Sequence, residues 1–279
     1  MKPTRKRMFG DIDFSRLVGS GLWVPGTRDF RALNTFPGDA PEEPEPPPPG
    51  GGILAGTALY ELPFDDGSGQ SCQDLSGVLS AYLGTDSESV DAADPTWASH
   101  GLTLANGDHV QLADNGVGLF DKQTFTLGIL VNITTLQAST GLFNYDNTAH
   151  SAPYYATSLR ADSGTIIWEW NNAGSYSAAS LIQVGSIFTT NVWKHVVLKM
   201  TAGEQKIKVN DSVVGSKTAT HTITYYTSPA RIGKTNFSSN SAYKLGYFYF
   251  YDSYLSDADD TTNHSALQTL MTARGESLP

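Results

Sequence analysis

The chain holds one cysteine, Cys72, in 279 residues. One thiol closes no intrachain disulfide and builds no thiolate zinc site, so the disulfide-dense pattern of small secreted domains is excluded. Its expected role is that of a small buried side chain. No run of 18 apolar residues occurs, which excludes a helical membrane span. Basic charge is scarce: 18 Lys and Arg face 28 Asp and Glu, and the formal charge of −10 has the wrong sign for nonspecific nucleic-acid binding. The first residues include Lys2, Arg5, Lys6 and Arg7, but Asp11, Asp13 and Arg16 interrupt the stretch where a secretory signal needs an apolar run, so no such signal is expected. Neither Gly-x-Ser-x-Gly nor His-Glu-x-x-His is present, and the six histidines are scattered. No heptad or collagen-like repeat specifies a trimeric fibre.

What is present divides into three parts. Residues 37–52 read PGDAPEEPEPPPPGGG. The prolines favour polyproline II, mutual repulsion of the glutamates extends the chain further, and the closing glycines make a joint. This is a stiff acidic spacer. On its N-terminal side, residues 1–36 carry a net charge of +4, against −4 in the linker and −10 beyond it. Thirty-six residues cannot bury a core of their own. Yet this segment holds Phe9, Phe14, Trp23 and Phe30 among other apolar residues, as expected of a peptide that orders on a larger partner.

Residues 53–279 are strand-like throughout. Runs rich in Val, Ile, Thr and aromatic residues recur between clusters of Gly, Asn, Asp and Ser, as in residues 124–133, 165–170, 193–200 and 243–251. So many short strands without interleaved helices predict an all-β sandwich or barrel. In Gln205–Asn210, Ile207 and Val209 alternate with Lys206 and Lys208, which predicts one buried and one solvated face. Asn210-Asp211 predicts a hairpin turn. A single helix is expected at the end, with Ser256 as N-cap, Asp259 completing a capping box, Leu267, Leu270 and Met271 as its apolar stripe, and Arg274-Gly275 at its C-terminus.

Taken in order, several motifs are similar to those of a known family. They are Phe64-Asp65-Asp66-Gly67, Asp74-Leu75-Ser76-Gly77, Gly101-Leu102-Thr103-Leu104, Trp193-Lys194-His195, Val209-Asn210-Asp211, Arg231-Ile232-Gly233, and Gly246–Tyr251 followed by Leu255-Ser256. Residues 57–275 resemble the concanavalin A-like lectin/glucanase jelly roll, in its laminin G-like or pentraxin-like branch. The resemblance implies a two-sheet antiparallel jelly-roll sandwich with a C-terminal helix. It also implies calcium as the one candidate cofactor, at Asp65, Asp66, Asp74 and Asp252. On the closing strand it points Phe248 and Phe250 inward and Tyr247 and Tyr249 outward, where the tyrosines could meet another copy in an oligomer.

The residues themselves suggest a glycan surface at Trp168 and Trp170, with Tyr154 and Tyr155 nearby in sequence, because sugars stack on exposed aromatic rings. Glycan hydrolysis needs paired carboxylates. The strand around Trp168-Glu169-Trp170 supplies one, so a non-enzymatic role is expected. A lectin-like body without an export signal, joined by a spacer to a partner-seeking peptide, fits a bacteriophage virion structural protein on head or tail. Such a protein is assembled in the host cytoplasm, held by residues 1–36 to other virion proteins, and displayed toward host-surface glycans as a homo-oligomer, without nucleic-acid or membrane partners. The alternative is a bacterial cell-surface carbohydrate-binding or adhesion module.

Overall fold

The computed structural model describes residues 52–86, 89–113, 120–146, 155–175, 180–225, 229–234 and 242–279. The N-terminal segment with Phe9, Phe14, Trp23 and Phe30, and the linker up to Gly51, lie outside the described residues, as does Tyr154. The chain divides into two units, residues 1–48 and 49–279, and the described residues belong to the second.

Two antiparallel sheets of eight strands each make a sandwich. Sheet A contains β1 (Tyr60–Leu62), β4 (Thr96–Ala98), β5 (Gly101–Leu104), β7 (Phe125–Ile133), β12 (Trp193–Met200), β13 (Gln205–Val209), β14 (Ser212–Lys217) and β16 (Tyr243–Tyr251). Its order is β14-β13-β12-β7-β16-β5-β4, with β1 also paired to β16. Sheet B contains β2 (Ser71–Cys72), β3 (Ser80–Leu83), β6 (Val110–Ala113), β8 (Thr140–Asp146), β9 (Tyr155–Asp162), β10 (Thr165–Trp170), β11 (Leu181–Val184) and β15 (Ala230–Ile232). Its order is β11-β10-β9-β8-β15-β6-β3-β2. The helix, α1, spans Asp257–Ala273 on the outer face of sheet A. The expected jelly-roll sandwich with one C-terminal helix is therefore what the chain forms.

The core between the sheets follows from alternation along each strand. Leu127, Ile129 and Val131 of β7, Val196 and Leu198 of β12, and Phe248 and Phe250 of β16 point into it, facing Trp168, Leu159, Phe143 and Ile232 of sheet B. Phe143 and Phe248 stack at 5.8 Å, joining the sheets by an aromatic contact. Cys72 is buried in the same core. The hairpin at Asn210-Asp211 is present, both residues adopting the left-handed backbone that a tight two-residue turn requires, with φ of 47° and 62°.

A second apolar layer covers the opposite face of sheet A. Leu130, Trp193, Tyr247, Tyr249 and Tyr251 pack beneath Leu267 and Met271 of α1, together with Leu54 and Leu278. Gly128 is needed here, because a Cβ at that position would lie 1.9 Å from the Tyr249 ring that crosses it. This layer corrects the expectation of a solvated lysine face. Lys208 is buried, and Lys199 on β12 is fully buried beside it. Lys199 Nζ bonds the Asp260 carboxylate at 2.6 Å, and Lys208 Nζ bonds it at 3.1 Å and that of Asp211 at 2.7 Å. The alternation was real, but the face is roofed by a helix that carries its own carboxylates to the amines. The same roof corrects the oligomer reading of Tyr247 and Tyr249. Both do face outward from the sheet, yet α1 of the same chain covers them, so they offer no surface to a second copy. Tyr247 instead donates its hydroxyl hydrogen to Glu61, and the Tyr249 hydroxyl meets His195 Nε2 at 2.8 Å.

The helix starts as its sequence predicts. The Ser256 side chain accepts from the Asp259 backbone N–H, and Asp259 reaches back to the Ser256 backbone. Its other end is held by Arg274, whose guanidinium donates to the carbonyls of Gly246 and Pro63, each at 3.2 Å.

Candidate functional site

The residues expected to stack on sugars do not do so. Trp168 and Trp170 point between the sheets and are fully buried, their rings 4.9 Å apart. The Trp168 indole N–H is used internally, donating to the Thr157 hydroxyl at 2.9 Å. Neither face of either indole reaches solvent, which removes both from a glycan surface. Large apolar rings gain more by filling the sandwich than by facing water. The Tyr155 side chain lies outside the described residues.

Nor do the four candidate calcium ligands form one site. Asp74 is buried and accepts hydrogen bonds from the backbone N–H groups of Glu61, Ser76, Val78 and Leu79, so its oxygens organise a turn. Asp66 accepts from the Gln73 N–H, Asp65 lies 3.7 Å from Arg274, and Asp252 lies 3.9 Å from Lys122. Among the described residues, no three His, Cys, Asp or Glu side chains come together to hold a metal ion.

What the structure does assemble is a polar row on the outer face of sheet B. Strand registers place Glu169 (β10) beside Ser158 (β9), Ser158 beside Asn144 (β8), Asn144 beside Arg231 (β15), Arg231 beside Gln111 (β6), and Gln111 beside Tyr82 (β3). Leu181 of β11 and Ser71 of β2 continue the line at its two ends. Their neighbours along each strand, such as Trp168, Leu159, Phe143, Ile232, Leu112 and Leu83, fill the core, so the row itself must face outward. At about 4.8 Å per strand, the six polar side chains span roughly 24 Å across the sheet.

Internal bonds fix the geometry of the row. Glu169 is buried and takes a two-pronged ion pair from Arg160 on β9, with one arm at 3.2 Å. Gln111 Nε2 donates to the Tyr82 hydroxyl at 2.6 Å. Ser158 and Asn144 form the buried middle of the row, while Arg231, Gln111 and Tyr82 are half-buried. The part of the row that reaches solvent is therefore Arg231, Gln111 and Tyr82, a guanidinium, an amide and an aromatic ring in one line, while Asn144, Ser158 and Glu169 continue it as buried polar groups. Its single carboxylate is already neutralised. Beyond Leu181, a cleft of about 420 Å³ opens between the edge strands β11 and β14, crossed by Lys217, whose ammonium donates to the Leu181 carbonyl. Sequence reasoning missed the row because its members come from six strands and become neighbours only through register.

A two-sheet jelly roll with one face roofed by a helix and the other carrying a polar row defines a lectin-like sandwich. The family model of the concanavalin A-like lectin/glucanases superfamily, in its laminin G form, matches residues 104–259, more than half of the chain. The chain belongs to that superfamily. No curated protein matches the sequence. Among solved structures, the receptor-binding domain of botulinum neurotoxin type G is similar at 13% identity and a TM-score of 0.56, over 76% of this chain and 52% of that one. The binding domain of botulinum neurotoxin DC, in complex with SialylT, is similar at 14% and 0.55, over 76% and 51%. The sialidase of Trypanosoma rangeli is similar at 17% and 0.57, over 76% and 33%. The chain spans about half of the neurotoxin domains and a third of the sialidase, and at these identities the likeness is one of fold.

Proposed function

We propose that this chain is a non-enzymatic structural protein of a bacteriophage virion, whose jelly roll binds a host-surface glycan along the polar row of sheet B. The observation that carries the glycan reading is the half-exposed, in-register line of Arg231, Gln111 and Tyr82. Such groups match the donors and acceptors of sugar hydroxyls, and the Tyr82 ring adds an apolar face. Membership of a lectin/glucanase superfamily supports it, as do neighbours solved with SialylT and with sialic acid. The row runs across the strands, which suits several sugar units in a chain better than one terminal sugar. The non-enzymatic reading is supported by Glu169, the one carboxylate of the row, being held by Arg160, whereas retaining hydrolysis requires two carboxylates about 5–5.5 Å apart.

The virion reading rests on the organisation of the sequence: an anchoring peptide in residues 1–36, an acidic proline-rich spacer in 37–52, and the jelly roll in 53–279. Copies of the chain would be held on the particle by the first segment and display the last.

Calorimetric titration of the chain with neutral and acidic oligosaccharides of increasing length tests the glycan reading. Affinity should rise with chain length and fall about tenfold in Gln111→Ala, the loss expected for one hydrogen bond to the ligand. A chain that binds no glycan at any length sinks the reading. Mass spectrometry of purified particles tests the virion role, and particles free of this chain would leave a cell-surface module as the better description.

A further inference from the structure

Two histidines meet beneath the roof of sheet A and take no part in the polar row. His195 of β12 and His264 of α1 are both buried. Their Nδ1 atoms lie 3.2 Å apart. The ring planes agree within 5°, and the ring centroids are 5.4 Å apart. Parallel rings with so short a nitrogen contact and so long a centroid separation cannot lie one above the other. They lie edge to edge in nearly one plane, each Nδ1 aimed at the other.

Such a contact has room for one hydrogen. Two neutral imidazoles carry one ring hydrogen each, so one Nδ1 donates and the other accepts. A first added proton can go to an outer nitrogen, and the central hydrogen stays shared. A second added proton must go to the remaining Nδ1, and two N–H groups on two cations then point at each other. His195 cannot retreat from this, because β12 is paired to β13 on one side and β7 on the other, and its Nε2 meets the Tyr249 hydroxyl at 2.8 Å. The helix that carries His264 can.

Nor do the surroundings offer charge to spare. Asp211, in the turn after β13, favours a cation on the pair, and Lys208 of β13 opposes it. These two are paired with each other at 2.7 Å. Asp260, one turn back along α1, already answers Lys199 and Lys208. Tyr249 of β16 and the backbone of Pro279 complete the setting. Farther off under the same layer, Glu61 of β1 bonds Tyr247 and responds to acid with the opposite sign, because burial raises its carboxyl.

We propose that His195 and His264 form an acid-released latch between sheet A and α1, closed by one shared hydrogen and opened when both rings are protonated. Burial holds both imidazoles below their ordinary value while the latch is closed. Once the helix lifts, both rings meet water and take protons at the ordinary value of about 6.5. The closed form is therefore fully favoured above that pH and loses ground below it. Opening uncovers Leu130, Trp193, Tyr247, Tyr249 and Tyr251, the apolar layer that α1 roofs.

Hydrogen exchange of the full chain, read by mass spectrometry and corrected for the chemical pH dependence of exchange, tests the proposal. The opening constant of α1 should rise about tenfold or more per pH unit between about pH 6 and pH 5, while β7 keeps its protection. The double variant His195→Gln/His264→Gln should lose that rise. It retains Glu61, so the difference in slope belongs to the histidines. An equal slope in the two chains, or α1 and β7 losing protection together, would overturn the latch. Should the variant not fold, nitrogen NMR of the histidine-labelled wild-type chain decides. A coupling between the two Nδ1 nuclei at pH 7 that vanishes in acid is expected, and its absence at pH 7 rules out the shared hydrogen.

Discussion

Asp260 is the residue on which the roof of sheet A depends most. It is almost fully buried, and its carboxylate answers two ammonium groups, those of Lys199 and Lys208. Replacing it leaves both amines enclosed without that counter-charge, so Asp260→Ala should destabilise the domain by about 3–5 kcal/mol, read as a lower urea midpoint with an unchanged slope. The buried histidines give a pH dependence of definite sign. Burial lowers His195 to about 3, with His264 beside it adding to the effect, and burial lowers His109 to about 4. Each is depressed in the folded state, so the unfolded chain binds more protons as pH falls. Stability from these two groups is full above pH 6.5 and declines below it, by about 1.4 kcal/mol per pH unit for each, until the folded values are reached. His221 and His264 are lowered by burial as well and add to the same trend. Urea titrations between pH 7 and 4 should show stability falling with pH, and His109→Gln should make that fall shallower by about 1.4 kcal/mol per pH unit. At this scale the sequence was legible where a residue type has one good place to go. Phe248 and Phe250 went inward and Cys72 into the core, as read. It was misleading where a side chain has two: Lys208 alternated like a solvated lysine, and nothing local to Gln205–Asn210 announces the distant Asp260 that lets it be buried.

Among the elements, α1 was the most legible, because its signals are local. The Ser256–Asp259 capping box, the acidic first turn and Gly275 with its positive φ all lie where the sequence placed them. Ser256→Ala removes one partner of the box and should cost about 1 kcal/mol, measured by thermal unfolding. Strands with clear alternation, such as β7, β12 and β16, were equally readable. The three that escaped, β2, β3 and β4, are two to four residues long and lie at or next to the edges of the sheets. So short a segment shows no period, and its pairing is decided by partners far away in the chain. The polar row is the same problem at its limit. Each strand contributes one unremarkable polar residue, and only the sheet order makes them a line.

For the whole molecule, the boundary between spacer and sandwich has a testable position. The Ile53 N–H donates to Glu61 at 3.1 Å, Leu54 is buried in the layer beneath α1, and the Ala55 N–H donates to Asn263 of the helix at 2.6 Å. A fragment of residues 53–279 should therefore melt close to the full chain, while one beginning at Leu59 should melt several degrees lower. Equal melting of the two fragments would show that these first contacts add nothing to stability.

That seating also decides how the domain bears a load. Ala55 is gripped from two sides, by Asn263 midway along α1 and by the Tyr251 hydroxyl at the end of β16, which donates to its carbonyl at 2.8 Å. The helix is in turn pinned near its start by Lys199 and Lys208 and at its close by Arg274. Tension drawn through the spacer would enter at the middle of a clamped beam and spread into the central strands of sheet A. It would leave sheet B, on the far side of the core, unstrained, so a jelly roll pulled by its tether would keep its polar row in register while the opposite face carries the force.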